Sequence, residues 1–320
     1  MKYFISIDCG TTNTRIFLIC DEKIIACQKV SAGAGDTSRT GSNIYLKAKI
    51  KDGICSLLDK FDINKSQIEC AIASGMITSE LGLLEIPHAV APIGVEDIAV
   101  NVVKKHITEV CPFPIYFVAG VKNFSQNNAA QDMIRGEETE ALGILSTMAD
   151  IKDMLLVLPG SHLKILVITN KKIESCRTSL LGEASKAISQ NTILKDSFFF
   201  STEIDPLALE DGYQTAKENG ITTSLFNVRK LGWFLERSNT YLSNYFDGVM
   251  MYDDVRQILK MAEQMRLPIV IGGSSPVKDK LSHLIENKGK KKVTILDDDV
   301  TDQATAMGAI IIHKKMGGIL

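Results

Sequence analysis

Short runs of apolar, β-forming residues alternate with small polar turns over the first 30 residues. The runs cover residues 3–7, 14–20 and 24–30, and polar turns at residues 8–13 and 21–22 separate them. Runs of this length between turn-forming residues are typical of strands. The pattern therefore predicts a β-meander at the start of the chain.

The same pattern recurs near the middle of the chain. Residues 155–158, 164–169 and 173–177 read as strands, and turns at 159–162 and 170–171 separate them. The second turn follows the first by about ten residues in both copies, as two strands of ~5–6 residues require. We interpret this as a structural repeat, which predicts two lobes that each open with a β-hairpin whose tip is small and polar.

Helical spacing of apolar residues predicts most of the remaining elements. The predicted helices cover residues 43–58, 137–146, 178–193, 205–220, 225–243, 255–265 and 303–314, and one more begins at 277. The acidic residues that start the helix at 137 suit the positive end of a helix dipole. Further short strands are predicted at residues 70–73, 115–119, 268–271 and 293–296. Helices and strands alternate, which indicates an α/β protein.

Length and charge narrow the class of protein. At 320 residues the chain predicts two lobes of about 150 residues each. The net charge is −2 and no long basic run exists, which disfavours nucleic-acid partners. No apolar run approaches the ~20 residues that span a bilayer. Seven cysteines without a Cys-x-x-Cys pair and the lack of a signal peptide predict a cytoplasmic protein that acts on a small molecule or a protein.

The turn after the first strand carries candidate phosphate-binding chemistry. Gly10 permits a close approach, and Thr11, Thr12 and Asn13 add side-chain donors to the backbone N–H groups of a tight turn. Asp8 would repel a phosphate, but it can act through Mg²⁺ and its waters as an outer-shell ligand. The alternative is an ordinary hairpin turn, because Asp, Gly and Asn are common turn formers.

Two later segments carry related chemistry. Gly160, Ser161 and His162 form the tip of the second hairpin, and two such turns can clamp one polyphosphate. A third segment, Gly272-Gly273-Ser274, follows a predicted buried strand, where paired glycines leave a flat backbone surface for adenine and ribose. The alternative for this segment is a plain strand-to-helix turn with Ser as the N-cap.

The order of these elements resembles the actin/hexokinase/Hsp70 nucleotide-binding plan. Four motifs together look like the 2-keto-3-deoxygalactonokinase family: Asp8-x-Gly10-Thr11-Thr12-Asn13-x-Arg15, Met133-Ile134-Arg135-Gly136-Glu137-Glu138-Thr139, Leu158-Pro159-Gly160-Ser161-His162-x-Lys164 and Arg177-Thr178-x-x-x-Gly182-Glu183. The resemblance implies a two-lobed actin-like ATPase (ribonuclease H-like) fold with an interlobe cleft. It also implies ATP-dependent phosphorylation of 2-dehydro-3-deoxy-D-galactonate at its 6-hydroxyl in galactonate breakdown, with Mg²⁺. Lobe I is expected at residues 1–134, completed by the helix 302–320, and lobe II at 135–301.

Phosphoryl transfer to a hydroxyl needs a base near the nucleophile. Glu137 is the predicted base, because related sugar kinases begin the equivalent helix with a Gly-Asp pair that Gly136-Glu137 resembles. Glu138 is the rival, and both could simply complement the helix dipole. A substrate carboxylate calls for a cation, for which Arg135, Arg177 and Lys164 are the candidates. Ser74 and Met76 end a strand where related kinases hold sugar hydroxyls.

Three other functions remain open at this point. A kinase of the same fold could act on a different sugar or sugar acid, and an actin-like ATPase or scaffold would share the nucleotide elements without a sugar pocket. A sugar-responsive repressor ranks last, because the chain starts at its first strand and leaves no room for a helix-turn-helix. A homo-oligomer is compatible with each of these functions.

Overall fold

A computed structural model describes residues 2–317 except residues 126, 128, 129 and 149. Its contacts divide the chain into two compact units. The first comprises Met1–Lys152, Ile168–Cys176 and Asp299–Leu320, and the second comprises Asp153–Val167 and Arg177–Asp298. These ranges differ from the expected lobe boundary at 134/135, because the helix that starts at Glu137 falls in the first unit.

The structure contains mixed strands and helices. The strands are β1 (Tyr3–Cys9), β2 (Thr14–Cys20), β3 (Lys23–Val30), β4 (Ile68–Gly75), β5 (Ala89–Val90), β6 (Val103–Lys105), β7 (Ile115–Phe117), β8 (Val121–Asn123), β9 (Asp132–Ile134), β10 (Met154–Leu158), β11 (Leu163–Thr169), β12 (Lys172–Ser179), β13 (Ile269–Ile271) and β14 (Val293–Ile295). The helices are α1 (Ala34–Thr40), α2 (Ile44–Lys60), α3 (Val95–Val100), α4 (Glu137–Thr147), α5 (Leu181–Asn191), α6 (Pro206–Asn219), α7 (Ile221–Leu235), α8 (Asn239–Met265), α9 (Val277–Gly289) and α10 (Asp298–Gly317). Within the described residues, no helix is long and apolar enough to cross a membrane.

The two main sheets share the order of five strands, and the first sheet has one more strand at its edge. The first has the order β3-β2-β1-β4-β7-β6, and the second has the order β12-β11-β10-β13-β14. In both, the first strand of a meander pairs in parallel with a later strand, β1 with β4 and β10 with β13. The predicted structural repeat is therefore confirmed. A smaller sheet, β5-β8-β9, belongs to the first unit.

Each sheet has its own apolar core. Buried side chains of β1, β2, β4 and β7 pack with those of α2 in the first unit. In the second unit, β10, β11 and β13 pack with α6, α8 and α9. Central strands such as β10 are buried along their whole length, as expected for strands covered on both faces. Polar residues therefore lie in the turns at the ends of these strands.

The helices between residues 221 and 265 differ from the prediction. Two helices were expected at 225–243 and 255–265, but α7 ends at Leu235 and α8 runs unbroken from Asn239 to Met265. The break falls where it does because Glu236 adopts a left-handed conformation and the Ser238 side chain caps α8 by accepting a hydrogen bond from the Tyr241 N–H. The prediction was also wrong at residue 178, because β12 extends to Ser179 and delays α5 to Leu181.

Small residues let α4 and α10 pack very closely. A Cβ atom on Gly308 would lie 1.9 Å from the carbonyl oxygen of Thr139, and one on Gly143 would lie 1.8 Å from the carbonyl oxygen of Ala304. Real Cβ atoms do not come this close to a backbone oxygen, so any side chain at either position forces the two helices apart.

Replacing Gly308 by Ala should therefore lower the free energy of unfolding by about 1–3 kcal/mol, the usual cost of overpacking. Gly317→Ala is the matched control in the same helix, because none of the described residues places an atom within 4 Å of the added Cβ. It should change stability by less than about 0.5 kcal/mol. Urea unfolding of the two variants measures both values, and equal stability would contradict the close packing.

Candidate active site

The turn between β1 and β2 is held from one side and open on the other. Residues 10–13 are exposed. The start of α1 braces their backbone: the Ala34 N–H donates to the Gly10 carbonyl oxygen at 3.1 Å, and the Gly35 N–H donates to that of Thr11 at 2.8 Å. Gly33 packs so tightly here that a Cβ would lie 2.5 Å from the Thr11 oxygen. The turn is thus fixed in shape while its outer donors remain accessible.

The turn between β10 and β11, in the second unit, is built in the same way. The Glu183 N–H, at the start of α5, donates to the Ser161 carbonyl oxygen at 2.8 Å. A Cβ on Gly182 would lie 2.3 Å from the Gly160 oxygen. His162 Nε2 lies 2.9 Å from a Glu183 carboxylate oxygen, so the same helix start also orients the histidine.

The glycines that brace the turns were not among the predicted phosphate-binding residues, Gly182 appearing only as part of a family motif. Gly33 is the residue before α1, and Gly182 is the second residue of α5. Each glycine lies some twenty residues after the turn that it supports. Their position in the sequence could have indicated this role, because each glycine follows the third strand of its meander. A small residue is needed at this point, since each turn lies directly against the backbone of the next helix start.

Asp8 forms an ion pair with Arg15 beside the first turn. Its Oδ2 accepts from Arg15 Nε at 2.9 Å and lies 2.7 Å from Arg15 Nη2. The Asp8 side chain keeps 16% of its surface exposed, and Arg15 also reaches Asp302 at 3.5 Å. The pair fixes one carboxylate oxygen of Asp8 in place at the end of β1.

Two strands and one helix of the first unit, β1, β4 and α4, meet at this end of β1. Cys9 pairs with Gly75 in the register between β1 and β4. A Cβ on Gly75 would lie 2.4 Å from the Cys9 carbonyl oxygen, and one on Gly136 would lie 3.0 Å from Gly75 Cα. The structure therefore brings Asp8 close to the start of α4 and to Ser74 and Met76, the predicted residues on either side of Gly75. Ser74 is buried, and only 1% of its surface is accessible.

The glutamates at the start of α4 differ in their surroundings. Glu138 is fully buried, and its carboxylate accepts from the Gly136 N–H at 2.7 Å and from Thr139 Oγ1 at 3.2 Å. Burial, followed by the charge of Glu137, raises the pKa of Glu138 to about 7. Glu137 is only partly buried, and its Oε2 accepts from the Arg135 N–H at 2.9 Å.

A third glutamate, Glu140, joins this group. Burial raises its pKa to about 8, with further contributions from the charges of Glu137 and Asp8. It was not among the predicted site residues. Its position in the sequence could have indicated this, because Glu137 and Glu140 are three residues apart and residues with that separation share a face of a helix. The carboxyl group of Glu140 thus belongs to the same acidic region as Asp8 and Glu137.

Arg135 has four acceptors of its own. Its Nη1 donates to the carbonyl oxygen and Oγ1 of Thr78 at 2.5 and 2.6 Å, and its Nη2 reaches the Ile86 oxygen at 3.3 Å and His88 Nδ1 at 3.2 Å. Burial, followed by the charges of Arg135 and Lys122, lowers the pKa of His88 to about 4. His88 is therefore neutral and can accept from Arg135. The guanidinium holds the segment that follows Met76.

The predicted cations of the second unit are Lys164 and Arg177. Lys164 is buried with 8% exposure, and its Nζ donates to Thr178 Oγ1 at 3.0 Å. Arg177 is exposed on β12. Its charge reaches Asp254, whose pKa is nevertheless raised, chiefly because that carboxyl is buried. Both basic side chains are carried by β11 and β12, the two strands that follow the second turn.

The glycine pair after β13 lies against the second turn. The Gly272 N–H donates to the Val157 carbonyl oxygen at 2.9 Å. Gly273 has a positive φ of 82°, and a Cβ there would lie 2.8 Å from the Pro159 carbonyl oxygen. Ser274 is exposed just beyond. The second unit thus brings this predicted adenosine segment next to the Gly160–His162 turn.

Metal ligands and cavities add two further facts. Among residues 2–125, 127, 130–148 and 150–317, no group of three or more His, Cys, Asp and Glu side chains is placed to hold a metal ion. A cavity of about 420 Å³ in the first unit is lined by Lys2, Phe4, Glu69 and His313, among others. It lies at the amino ends of β1 and β4, and none of the predicted site residues lines it.

Known proteins of similar sequence are kinases. A profile of the 2-keto-3-deoxy-galactonokinase family matches residues 8–311. The chain is 25% identical over 236 residues to a Rhizobium meliloti protein that carries the name 2-dehydro-3-deoxygalactonokinase, covering 71% of each. It is 22% identical over 275 residues to the 2-dehydro-3-deoxygalactonokinase of Escherichia coli K12, covering 85% of this chain and 86% of that one.

Solved structures agree on the fold. A Sinorhizobium meliloti protein assigned as a 2-dehydro-3-deoxygalactonokinase superposes with a TM-score of 0.79 at 20% identity and covers 99% of both chains. Component A of the (R)-2-hydroxyglutaryl-CoA dehydratase of Acidaminococcus fermentans superposes with a TM-score of 0.53 at 12% identity, covering 98% of this chain and 99% of that one. The predicted α/β fold of the actin-like ATPase type is confirmed. Because the family profile spans nearly the whole sequence, this chain belongs to the 2-keto-3-deoxy-galactonokinase family.

Proposed function

We propose that this chain transfers the γ-phosphoryl group of ATP to the 6-hydroxyl of 2-dehydro-3-deoxy-D-galactonate, as a step of galactonate catabolism. The observation that carries the proposal is the meeting of Asp8, the 10–13 turn and Glu137 at the carboxyl ends of β1 and β4. Ligands of open α/β sheets bind at the carboxyl ends of strands. The names of the two curated relatives supply the substrate.

Each hairpin turn is proposed to donate to phosphate oxygens of ATP. Gly10, Thr11, Thr12 and Asn13 would do so in the first unit, and residues 160–162 would do so in the second. Both turns are exposed, and both are braced by the next helix. A preformed set of donors needs little reorganisation when charge develops on the phosphoryl group. The Gly272–Ser274 segment is proposed to hold the adenosine.

Glu137 is the better candidate for the base. A base must reach the substrate hydroxyl at ~2.6–3.2 Å, and Glu138 is fully buried with both carboxylate oxygens already accepting hydrogen bonds. Glu137 is partly exposed, and only its Oε2 accepts a hydrogen bond from the described residues. Its Oε1 would therefore accept the proton of the 6-hydroxyl as the hydroxyl oxygen attacks the γ-phosphorus.

The residues present fit Mg²⁺ in the way typical of kinases. Mg²⁺ is usually held by one or two carboxylates together with substrate phosphates, and Asp8 supplies one accessible carboxylate beside the first turn. When bound, the ion neutralises phosphate charge. Arg15 would keep Asp8 oriented toward it through the 2.9 Å and 2.7 Å contacts.

The partner of the substrate carboxylate is tested by a pair of variants. If Arg177 is the partner, Arg177→Ala should raise KM for the sugar acid about 10–100-fold, the loss expected for a hydrogen bond between charged groups, at unchanged stability because the side chain is exposed. Arg135→Ala should lower both stability and kcat, because it releases the segment from Thr78 to His88. An unchanged KM in both would exclude them and leave Lys164.

The proposal is distinguished from its alternatives by acceptor dependence. ATP consumption should require the sugar acid, and turnover should fall when the acid is replaced by other aldonic or 2-keto-3-deoxy acids. Steady ATP hydrolysis without an acceptor would favour an actin-like ATPase instead. A cytoplasmic location is part of the proposal, supported by seven cysteines that are all free thiols.

A further inference from the structure

The small sheet β5-β8-β9 of the first unit has one buried face and one accessible face. Lys122 pairs with Val90 in the parallel ladder and with Met133 in the antiparallel ladder, so the three side chains lie on the same face. Val121 and Ile134 point the other way and are buried, whereas Val90 and Met133 are 53% and 59% exposed. Lys122 therefore belongs to the accessible face.

Two more basic side chains lie on the face of Lys122. His88 comes two residues before Val90, and Arg135 comes two residues after Met133, so the alternation of side chains along a strand places both on this face. Their contact agrees with this placement, because Arg135 Nη2 lies 3.2 Å from His88 Nδ1. We call the side chains of His88, Lys122 and Arg135 the basic face of the small sheet.

His88 supplies a hydrogen-bond donor to the basic face. Burial, followed by the charges of Arg135 and Lys122, lowers the pKa of His88 to about 4, so the imidazole is neutral. A guanidinium only donates hydrogen bonds, so His88 Nδ1 accepts from Arg135 and the ring hydrogen lies on Nε2. Gly120 gives the ring its place, because a Cβ there would lie 2.8 Å from Cδ2 and 3.2 Å from Nε2.

The two cations of the basic face differ in their partners. The terminal nitrogens of Arg135 already donate to Thr78, Ile86 and His88, and all of these acceptors are neutral. Among the described residues, Lys122 has neither a hydrogen-bond acceptor nor a carboxylate partner. Like charges at neighbouring positions of a sheet repel each other. An anion bound at Lys122 would relieve this repulsion and use the three donors of the ammonium group.

The basic face adjoins the proposed base, because β9 leads through Arg135 into Glu137, whose Oε2 accepts from the Arg135 N–H at 2.9 Å. We propose that the Lys122 ammonium binds the carboxylate of the sugar acid and that His88 Nε2–H donates to the oxygen on C2. Both substrate groups can accept these hydrogen bonds. This inference rests on the proposed function and adds a fourth cation to the three candidates for the carboxylate.

Calorimetry with 2-dehydro-3-deoxy-D-galactonate and with its uncharged 1-amide tests the proposal, in the presence of a non-hydrolysable ATP analogue. The wild type should bind the acid about 10–100-fold more tightly than the amide. Lys122→Met should bind both compounds equally, and Lys122→Arg should restore the preference for the acid. Lys105→Met, at an exposed lysine of β6 in the same unit, should behave as the wild type. Circular dichroism of each variant confirms folding.

His88→Asn separates the two contacts, because Asn can still accept from Arg135 but lacks the Nε2 donor. It should weaken the acid and the amide alike, about 3–10-fold. A preference for the acid that survives in Lys122→Met, or that the wild type lacks, would overturn the inference, whereas acid-dependent ADP release by the wild type tests the proposed function separately. A wild type that binds neither compound would overturn both.

Discussion

Replacing Glu137 by Gln should lower kcat by at least ~10²-fold, with little change in the affinity for ATP. The substitution keeps the size of the side chain and the hydrogen bond from the Arg135 N–H, but it removes the group that takes the proton of the hydroxyl. General bases contribute typically 10²–10⁴-fold. Steady-state kinetics with saturating ATP measure kcat, and nucleotide binding is measured separately by calorimetry.

Glu138→Gln is the matched control for this prediction. The side chain lies next to Glu137 on the same helix, but it is fully buried and its carboxylate is satisfied by Gly136 and Thr139. Its raised pKa of about 7 means that the neutral form is already well populated near neutral pH, so an amide is a close mimic. We expect kcat within about tenfold of the wild type. A reversed pattern would assign the base to Glu138.

The second large effect is expected from Asp8→Asn. Loss of the carboxylate should lower kcat/KM for ATP on the order of 10²-fold, the range found when one preorganised electrostatic contact to the transition state is removed. The loss should shrink as Mg²⁺ is raised, because Asp8 is proposed to act through the ion. Activity is measured as a function of Mg²⁺ at fixed ATP.

Asp302→Asn separates this effect from a general change around Arg15. Asp302 is the other carboxylate near Arg15, at 3.5 Å, but its side chain is 64% exposed. Its loss should leave the Mg²⁺ dependence as in the wild type. Identical Mg²⁺ curves for Asp8→Asn and the wild type would contradict the role given to Asp8.

The parts of the fold that the sequence predicted are those with a local cause. Apolar runs between turn formers define the two meanders, and the acidic first turn after Gly136 defines the start of α4. The motif turns at Gly10 and Gly160 are visible for the same reason, because a tight turn restricts residue type at each position. These features need no knowledge of what packs against them.

The parts that the sequence did not predict depend on distant partners. Lys278 and Lys280 are buried by 96% or more because Asp298 and Asp247 pair with them, and no spacing rule reveals such a pair. Gly33 braces a turn more than twenty residues earlier. Helix α8 continues through residues 244–254, where Gly248 packs against the backbone of α6. Only the folded chain displays these contacts.

The central claim is that the chain phosphorylates a sugar acid at a hydroxyl. The most direct measurement is coupled ADP release by the purified protein with MgATP and 2-dehydro-3-deoxy-D-galactonate, with the product identified by ³¹P NMR. We predict ADP release that depends strictly on the acid and yields one phosphate ester on C6. ADP release that is independent of the acid, or that yields only inorganic phosphate, would contradict the account.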